Sequence, residues 1–462
     1  MQLKRTESGA GIGAALAAAS CTLLGTTVPG RAVAQDDSGW DVETSTLYYG
    51  ESGGRVQDLS AEALARKSMG EDRTLGLHVA IDALTGASPN GAAPSNQPQT
   101  FTRPSGQASY TAAAGELPLD DTFHDTRLAA DGSWEQLLGR LTTLEVGFSS
   151  SFEYDYRHLG INANIAREFN KRNTTLSAGL ALAADTVDPV GGAPTPFAPL
   201  TGAGGEPDAA GRVAALEDEG GGGEGGGEDG GGAGGGGGPS KSKTVADALV
   251  GVTQVLGPRT LMQLNYSFSD SSGYLNDPYK LLSVVDPVTG ELATAPTGGT
   301  GLYLFENRPD TRAKQSLFGL LKHELGGNVL ELSYRYMTDD WGIDSQTVDL
   351  HFRWGMGERR YLQPHVRYYS QTAADFYRTV LFDGEPLPAF ASADYRLSNF
   401  DGITVGLKYG WPSEHGDWSV RAELYRQSGK ASPGSDVGVL GTLDLNPNLQ
   451  AVFAQFSFKF RP

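Results

Sequence analysis

Residues 141–154, LTTLEVGFSSSFEY, alternate apolar and polar side chains along most of their length. Leu144, Val146 and Phe148 fall on one face of an extended chain, because successive side chains of a β-strand point to opposite faces. Glu145 and Ser149 fall on the other face. The stretch is long enough to cross a bilayer as a tilted strand. It therefore predicts a strand that meets an apolar medium on one face and a polar medium on the other.

The same alternation recurs along the rest of the chain, whereas helical periodicity is nearly absent. We predict sixteen strands, at 41–50, 55–68, 73–85, 122–137, 141–154, 156–168, 174–187, 243–256, 260–272, 311–325, 328–340, 343–356, 360–373, 394–408, 417–429 and 449–460. The segment 55–68 also fits a short amphipathic helix, since Leu59, Ala63 and Leu64 suit both periods. An even number of strands places both chain ends at the same end of the sheet.

The predicted links between strands alternate between tight turns and links that are often long. Two links of the second kind are short, near Tyr154-Asp155 and Asp339-Asp340-Trp341-Gly342. The long links are 86–121, 188–242, 273–310, 374–393 and 430–448. Together with the strand length, this asymmetry predicts an all-β fold: a transmembrane antiparallel β-barrel of about 16 strands, with short periplasmic turns and long extracellular loops. A soluble β-sandwich or a β-helix also alternates. The long strands and the loop asymmetry argue against the sandwich, and the lack of a fixed short repeat argues against the β-helix.

The two ends of the chain fit export to a bacterial outer membrane. Residues 1–34 read as a cleaved secretory signal, with Lys4 and Arg5 before an Ala-rich apolar stretch and Ala32-Val33-Ala34 as the cleavage site. An uncleaved anchor and a lipoprotein at Cys21 are the weaker alternatives. The last strand carries Phe456, Phe458 and Phe460 on one face, an aromatic ending of the kind that the barrel-assembly machinery recognises.

Composition excludes several classes of protein. A net charge of −19 argues against binding of nucleic acid, and a single Cys excludes a disulfide scaffold or a Cys-ligated zinc site. Glycine is abundant, but residues 188–242 hold 21 of the 63 glycines, mostly between 220 and 238. That segment is acidic and has too few apolar residues to offset the entropy of ordering. We therefore predict one domain, the barrel at 35–462, with a disordered acidic Gly-rich loop at 188–242.

If the apolar faces meet lipid, the opposite faces line the lumen. The candidate lumen-lining residues are Glu135, Glu145, Glu153, Arg335, Arg353, Arg367, Lys408 and Arg421. Strands four and five, whose inner face is acidic, should lie across from strands twelve and thirteen, where basic residues prevail. Facing walls of opposite sign would produce a transverse field, as at the constriction of a diffusion pore. The simpler alternative is that charges of both signs pair along the wall and fill a polar interior.

Catalytic and metal-binding motifs are not evident, and we predict neither an enzyme nor a cofactor. The sequence has no Gly-x-Ser-x-Gly elbow and no His-Glu-x-x-His helix. His351 and His365 should face each other inside, across neighbouring strands. We interpret them as hydrogen-bonded lumen residues and assign no metal site. The dipeptide Asn90-Gly91 reads as a rigid turn that folds the loop 86–121.

Three motifs in order carry a family resemblance: IDALTGASPNGAAP at 81–94, TRLAADGSWEQLLGRL at 126–141 and EFNKRNTTLSA at 168–178. They are similar to a proteobacterial family of secreted proteins known only as a domain of unknown function. The resemblance covers most of the mature chain and implies an outer-membrane barrel without established activity. Genes of that family often lie beside those for a flavin-attaching transferase, a thioredoxin-like protein and a small lipoprotein. The resemblance thus implies periplasmic or surface redox proteins as partners.

The leading hypothesis for function is an outer-membrane barrel that acts as a porin-like passage. The alternative is a non-conducting structural or assembly partner of an envelope redox or electron-transfer system, and an outer-membrane hydrolase is a third. The expected partners are outer-membrane lipid, the barrel-assembly machinery and those redox proteins.

Overall fold

The structure, a computed structural model, describes residues 39–102, 109–189, 192–200, 239–294, 296, 301–430, 435–445 and 448–460. The predicted signal at 1–34 and the glycine run at 220–238 lie outside these ranges. Within the described residues, sixteen strands close into one barrel, and every neighbouring pair is antiparallel. The predicted fold class and strand number are confirmed.

The barrel strands have these bounds: β1 Trp40–Glu51, β2 Gln57–Ser68, β3 Arg73–Pro89, β6 Leu119–Leu137, β7 Thr142–Phe152, β8 Tyr156–Phe169, β9 Thr174–Val187, β10 Lys241–Gly257, β11 Thr260–Gly273, β14 Thr311–Leu325, β15 Asn328–Asp339, β16 Asp344–Gly355, β17 Tyr361–Gln371, β19 Phe400–Pro412, β20 Gly416–Gly429 and β21 Leu449–Phe460. Shorter strands lie between them: β4 Gln99–Thr102, β5 Ser109–Ala112, β12 Leu281–Val285, β13 Tyr303–Phe305 and β18 Leu381–Phe382. The first and last barrel strands pair with each other, so the sheet has no open edge.

One strand starts later than predicted, and another resolves a choice that the sequence left open between strand and helix. The segment predicted as a strand at 394–408 is instead Phe400–Pro412. It starts later because the Asp394 side chain accepts a hydrogen bond from the Arg396 backbone N–H at 3.0 Å and caps a short 3-10 turn, Tyr395–Leu397. The segment 55–68, which also fitted a helix, is the strand Gln57–Ser68, paired on both sides.

Alternation places apolar side chains on the outer face of the barrel. Leu128, Ile161 and Leu180 are 50%, 62% and 66% exposed, and each lies between neighbours that point inward. A barrel that lies in an apolar medium exposes large apolar side chains on its outer surface in this way. In the described part of the chain, no helix combines the length and apolar character needed to span a membrane.

The two ends of the barrel differ. At the short-turn end the connections are tight, as at Gly326-Gly327, where φ values of 60° and 94° fit a two-residue hairpin turn that glycine adopts without strain. At the long-loop end, by contrast, five of the links are long, and those from β1 to β2, β7 to β8 and β15 to β16 are short. Both termini of the barrel, Trp40 and Phe460, lie at the short-turn end.

The long loops fold together into one body, which we call the cap. It comprises the described residues of 90–118, 192–200, 274–310, 372–399 and 435–445. β12 is its central strand, paired with β13 and with β18, and β4 pairs with β5. Leu282, Leu304 and Ala391 are fully buried in the cap core.

Residues 192–200 correct the predicted extent of the disordered loop at 188–242. Leu200 donates its backbone N–H to Tyr303 at 2.9 Å, and Pro199 forms a β-bridge with Leu304. Phe197 packs against the cap core. This end of the segment is ordered because it has apolar side chains to bury.

Candidate functional site: the lumen and its cap

The candidate lumen residues share the inner face of the barrel. Glu135 on β6 lies opposite Glu145 on β7, and Lys408 on β19 lies opposite Arg421 on β20. The other predicted residues are on inward positions as well, at Arg335 of β15, Arg353 of β16 and Arg367 of β17. Glu153 follows the last residue of β7, at the long-loop end. In the closed strand order, β6 and β7 lie half-way round from β16 and β17.

Charges of opposite sign pair along this wall. Arg127 Nε lies 2.7 Å from Asp82 Oδ2, and Lys322 Nζ lies 2.6 Å from Glu331 Oε2. Two of the predicted residues rest on aromatic rings: Arg335 lies 5.4 Å from the centre of the Phe318 ring. Arg353 lies 3.7 Å from that of Tyr361. Much of the wall therefore agrees with the simpler interpretation from the sequence, in which charges of both signs pair and fill a polar interior.

Solvent access to the inner wall changes along the barrel axis. The side chains of Glu62, Asp131 and Lys459, in the middle and at the short-turn end, are 49%, 40% and 46% exposed. Near the long-loop end, the side chains of Asp185 and Asp339 are 3% and 0% exposed. The inner wall is thus covered at the long-loop end. Towards the short-turn end it is accessible in part, since Lys322 and Glu331 are only 13% and 18% exposed there, and we call this space the cup.

The segment 274–310 holds the cap together across the barrel mouth, and we call it the hub. Lys280 Nζ donates to the Pro89 carbonyl at 2.5 Å, and the Leu281 N–H donates to Asn90 at 2.8 Å. Pro89 ends β3, which is six strands away from β11 in the closed order. A sixteen-strand barrel is on the order of 30 Å wide. These bonds therefore join nearly opposite sides of the mouth.

The hub also contacts loops from the rest of the rim. Its Tyr279 hydroxyl donates to the Asp155 carboxylate, in the turn between β7 and β8. The Val285 carbonyl accepts from the Asp383 N–H at 2.8 Å, and the Thr289 carbonyl accepts from the Val439 N–H at 2.8 Å. Loops that leave the barrel at separate points of the rim thus all contact the hub. Their backbone N–H and C=O groups form hydrogen bonds with those of the hub.

A buried cluster of charges lies where the hub meets 372–399. Arg308 Nη2 donates to Glu306 Oε2 at 3.0 Å and to Asp394 Oδ2 at 2.8 Å. Arg396 Nε also donates to Asp394 Oδ2, at 2.8 Å, and its Nη2 donates to Asp277. The glutamate and both of its neighbours are almost wholly inaccessible: the side chains of Glu306, Arg308 and Asp394 are 1%, 10% and 0% exposed.

Burial and neighbouring charges together control the titration of this cluster. Burial raises the pKa of Glu306 above its ordinary range. Burial would also raise the pKa of Asp394, but Arg396, Arg308 and Lys280 hold it well below its ordinary range. The pKa of Lys280 is lowered by burial. Such a cluster is stable only while each charge keeps its partners, so it locks the two segments in one arrangement.

A small cavity lies beside the cluster, lined in part by Pro89, Gly91, Lys280, Tyr377 and Asp394. Its volume of about 30 Å³ has room for one or two water molecules but not for an organic substrate. The cavity therefore belongs to the packing of the cap.

The Asn90-Gly91 turn seats the loop 86–121 on the hub. Asn90 Oδ1 accepts from the Ala92 N–H at 2.8 Å, which forms an Asx turn, and Asn90 Nδ2 donates to the Tyr110 hydroxyl at 2.6 Å. Gly91 has a φ of 92°, in the region that favours glycine. The structure thus has a turn at this position.

Sequence reasoning missed the charge cluster of the cap. Its members are Asp277, Lys280, Glu306, Arg308, Asp394 and Arg396. Asp277, Lys280, Glu306 and Arg308 lie in the predicted loop 273–310, where charged residues are ordinarily solvated. Asp394 and Arg396 begin the segment that was predicted as the strand 394–408, so nothing in the sequence pointed to their burial together.

An acidic group at the rim makes stability depend on pH. Burial, followed by the charge of Asp125, raises the pKa of Glu153 to about 7 from its ordinary value of 4.5. The same causes raise the pKa of Asp155 to about 6. A raised carboxyl pKa means that the folded state favours the protonated form. The contribution of Glu153 is thus fully present below about pH 4.5 and is lost as the pH rises to about 7.

We therefore expect Glu153→Gln to raise the melting temperature at pH 8 and to leave it unchanged at pH 4. The effect at pH 8 should be on the order of 1 kcal/mol once solvent screening is allowed for. Thermal loss of the compact band on gel electrophoresis, followed at both pH values, measures it. Glu385→Gln, at an exposed residue of the cap, is the control. Equal shifts at both pH values would contradict the assignment.

The chain has weak similarity to several solved structures. No curated protein matches it. Similar solved structures include a bacterial polysaccharide outer membrane secretin, with a TM-score of 0.41 and 8% identity over 92% of this chain and 99% of that one. OccK5 (OpdH) of Pseudomonas aeruginosa has a TM-score of 0.38 and 9% identity over 92% of this chain and 98% of that one. A ferric enterobactin receptor (PfeA) mutant of Pseudomonas aeruginosa has a TM-score of 0.39 and 11% identity, over 85% of this chain and 54% of that one.

The family resemblance found in the sequence is confirmed. The model of a family described as "Protein of unknown function (DUF3570)" matches residues 13–460, nearly the whole chain. The chain therefore belongs to the DUF3570 family.

Proposed function

We propose that the protein is an outer-membrane barrel that is closed at the cell surface and serves as a structural partner of other envelope proteins. The observation that carries this proposal is the hub, which joins nearly opposite sides of the mouth through the Lys280–Pro89 and Leu281–Asn90 hydrogen bonds. A porin needs a water-filled path through both ends of its barrel. Among the hypotheses from the sequence, the cap thus favours the non-conducting partner over the porin-like passage.

The orientation follows from the loop lengths. Long loops of outer-membrane barrels face outward and short turns face the periplasm. The cap is then at the cell surface, and the cup faces the periplasm. The segment 1–34 would direct export and be cleaved, and the apolar outer face would contact lipid after insertion by the barrel-assembly machinery.

The partner would dock at the periplasmic mouth of the cup. Charged side chains of both signs are accessible there, including Lys459 with Asp41, and Arg359 with Asp417. Such a rim suits a soluble protein with a complementary pattern of charge. The redox proteins implied by the family resemblance are the first class to test. In this role the chain itself carries out no reaction.

Planar-bilayer recording of the purified barrel tests the proposal. We expect no conductance above background at low applied voltage, because ions would have to pass a cap with a packed apolar core. Arg308→Ala, which should release the cap, is recorded beside it as the conducting comparison. A stable, steady conductance of the unaltered protein would favour the porin-like passage instead.

A further inference from the structure

Two histidines and a carboxylate converge on the inner wall of the barrel. His351 on β16 and His365 on β17 lie directly opposite in register, and their rings stack with centres 4.1 Å apart. His351 Nε2 lies 2.8 Å from Asp349 Oδ1, and His365 Nε2 lies 3.1 Å from Asp349 Oδ2. Separations of about 3 Å are typical of neighbouring ligand atoms around a first-row metal ion, whose bonds to such ligands are about 2.0–2.2 Å.

The second nitrogen of each ring also has a polar neighbour. His365 Nδ1 lies 2.9 Å from Glu423 Oε1. His351 Nδ1 lies 3.4 Å from the amide of Gln363, whose Oε1 is buried and has no hydrogen-bond partner among the described residues. Turning that amide by 180° lets Oε1 accept the Nδ1 proton of His351. A metal-ligating histidine ordinarily donates its other N–H to a carboxylate or a carbonyl in this way.

This arrangement of protons leaves three acceptors facing one another. Both Nε2 atoms then carry lone pairs, and each lies within 3.1 Å of a carboxylate oxygen of Asp349. His351 Nε2 is sealed from solvent and makes no hydrogen bond to any described residue. A single divalent cation between the three side chains would give each of them a partner.

A glycine makes the support from Glu423 possible. Glu423 is on β20, and β19 lies between it and His365. The residue between them on β19 is Gly406, where a Cβ would lie 2.5 Å from Glu423 Cγ. Without a side chain at 406, the glutamate lies across β19 and reaches the histidine. Gly406 is therefore a positioning residue for this cluster.

We infer that Asp349, His351 and His365 bind a divalent first-row transition metal ion, with Glu423 orienting His365. Two imidazole nitrogens and one carboxylate oxygen suit zinc, copper, nickel or iron better than calcium or magnesium. Three protein ligands leave a coordination position for water or for a ligand. This inference reverses the interpretation of the histidine pair from the sequence, which considered neither Asp349 nor Gly406 as part of it.

The test uses the full barrel, refolded in detergent and treated with a chelator, with Zn²⁺ as the probe in titration calorimetry and Co²⁺ in absorption spectroscopy. We expect one ion per barrel and visible Co²⁺ bands. His351→Ala and His365→Ala should each weaken binding at least about 100-fold, and Glu423→Gln about 10-fold, as for supporting residues elsewhere. His323→Ala is the matched control, since His323 contacts Thr260 away from this cluster.

Gly406→Ala keeps all three ligands and tests the geometry independently of them. It should weaken Zn²⁺ binding to about the same extent as Glu423→Gln, because both break one supporting contact. Each variant is first checked for the compact band on gel electrophoresis. Binding of Zn²⁺ that is unchanged in both His351→Ala and His365→Ala, or lost equally in His323→Ala, would overturn the inference, as would a wild-type barrel that binds no ion.

Discussion

Replacing Arg308 with alanine is expected to release the cap and to raise the conductance of the barrel from background to that of an open channel. Arg308 bridges Glu306 and Asp394, whose side chains are 1% and 0% exposed. Its removal leaves two buried carboxylates with one cation fewer, which costs about 3–5 kcal/mol in comparable buried pairs. The barrel strands make no use of this cluster, so the compact band on gel electrophoresis should persist.

An exposed ion pair provides the control for this variant. Arg359 Nη2 lies 2.6 Å from Asp417 Oδ2 at the short-turn end, and the two side chains are 47% and 35% exposed. Such pairs contribute about 0–1 kcal/mol, so Arg359→Ala should change neither stability nor conductance. Trypsin cleavage and planar-bilayer recording are made on the same samples. A cap that resists trypsin in Arg308→Ala would show that the cluster does not hold it. A cleaved cap with background conductance would show that something else closes the lumen.

Replacing Gly91 with alanine is expected to detach the loop 86–121 from the hub. Gly91 has a φ of 92°, and a Cβ there would lie 2.7 Å from the Leu281 carbonyl oxygen, next to the hydrogen bond between Leu281 and Asn90. Backbone strain and this overlap together should cost about 3 kcal/mol. Hydrogen exchange followed by mass spectrometry should show faster exchange in 90–102 and 281–285, with the barrel strands unchanged.

Gly115→Ala is the control in the same loop. Gly115 has a φ of 79°, but a Cβ there would meet nothing within 4 Å. It shares the backbone strain and lacks the overlap, so its effect should be about 1 kcal/mol. Equal effects of the two variants would contradict the role assigned to the contact between Gly91 and Leu281.

The barrel could be predicted from the sequence because its signal is local. Each spanning strand shows its alternation within a dozen residues, as at 141–154, and the lipid-facing side requires that alternation everywhere. The cap could not be predicted in this way. Leu282 and Leu304 are fully buried because distant loops meet around them, and neither residue has a periodic pattern that signals burial. The displaced start of β19 has the same origin, since a cap interaction of Asp394 decides it.

The sequence predicts which side chains point into the barrel, but not which of them contact one another. Alternation places His351 and His365 inside and opposite each other, and the register agrees. The carboxylate of Asp349 is a diagonal neighbour, and Glu423 reaches the pair only because Gly406 lacks a side chain. From the sequence alone, a glycine inside a strand is interpreted as a residue that destabilises the strand. That its missing side chain leaves room for the side chain of a neighbouring strand is seen only in the structure.

The hub also constrains the order of assembly. Lys280 and Pro89 are 191 residues apart in the chain, and their bond can form only once the strands between them are in place. All five residues of β12, LLSVV, are buried in the finished molecule. Until the cap forms, this apolar strand has no partner strand. Such a segment pairs readily with other chains, and a charged residue beside it, here Asp286, reduces that tendency. We therefore expect closure of the rim to protect the nascent barrel from aggregation at the membrane.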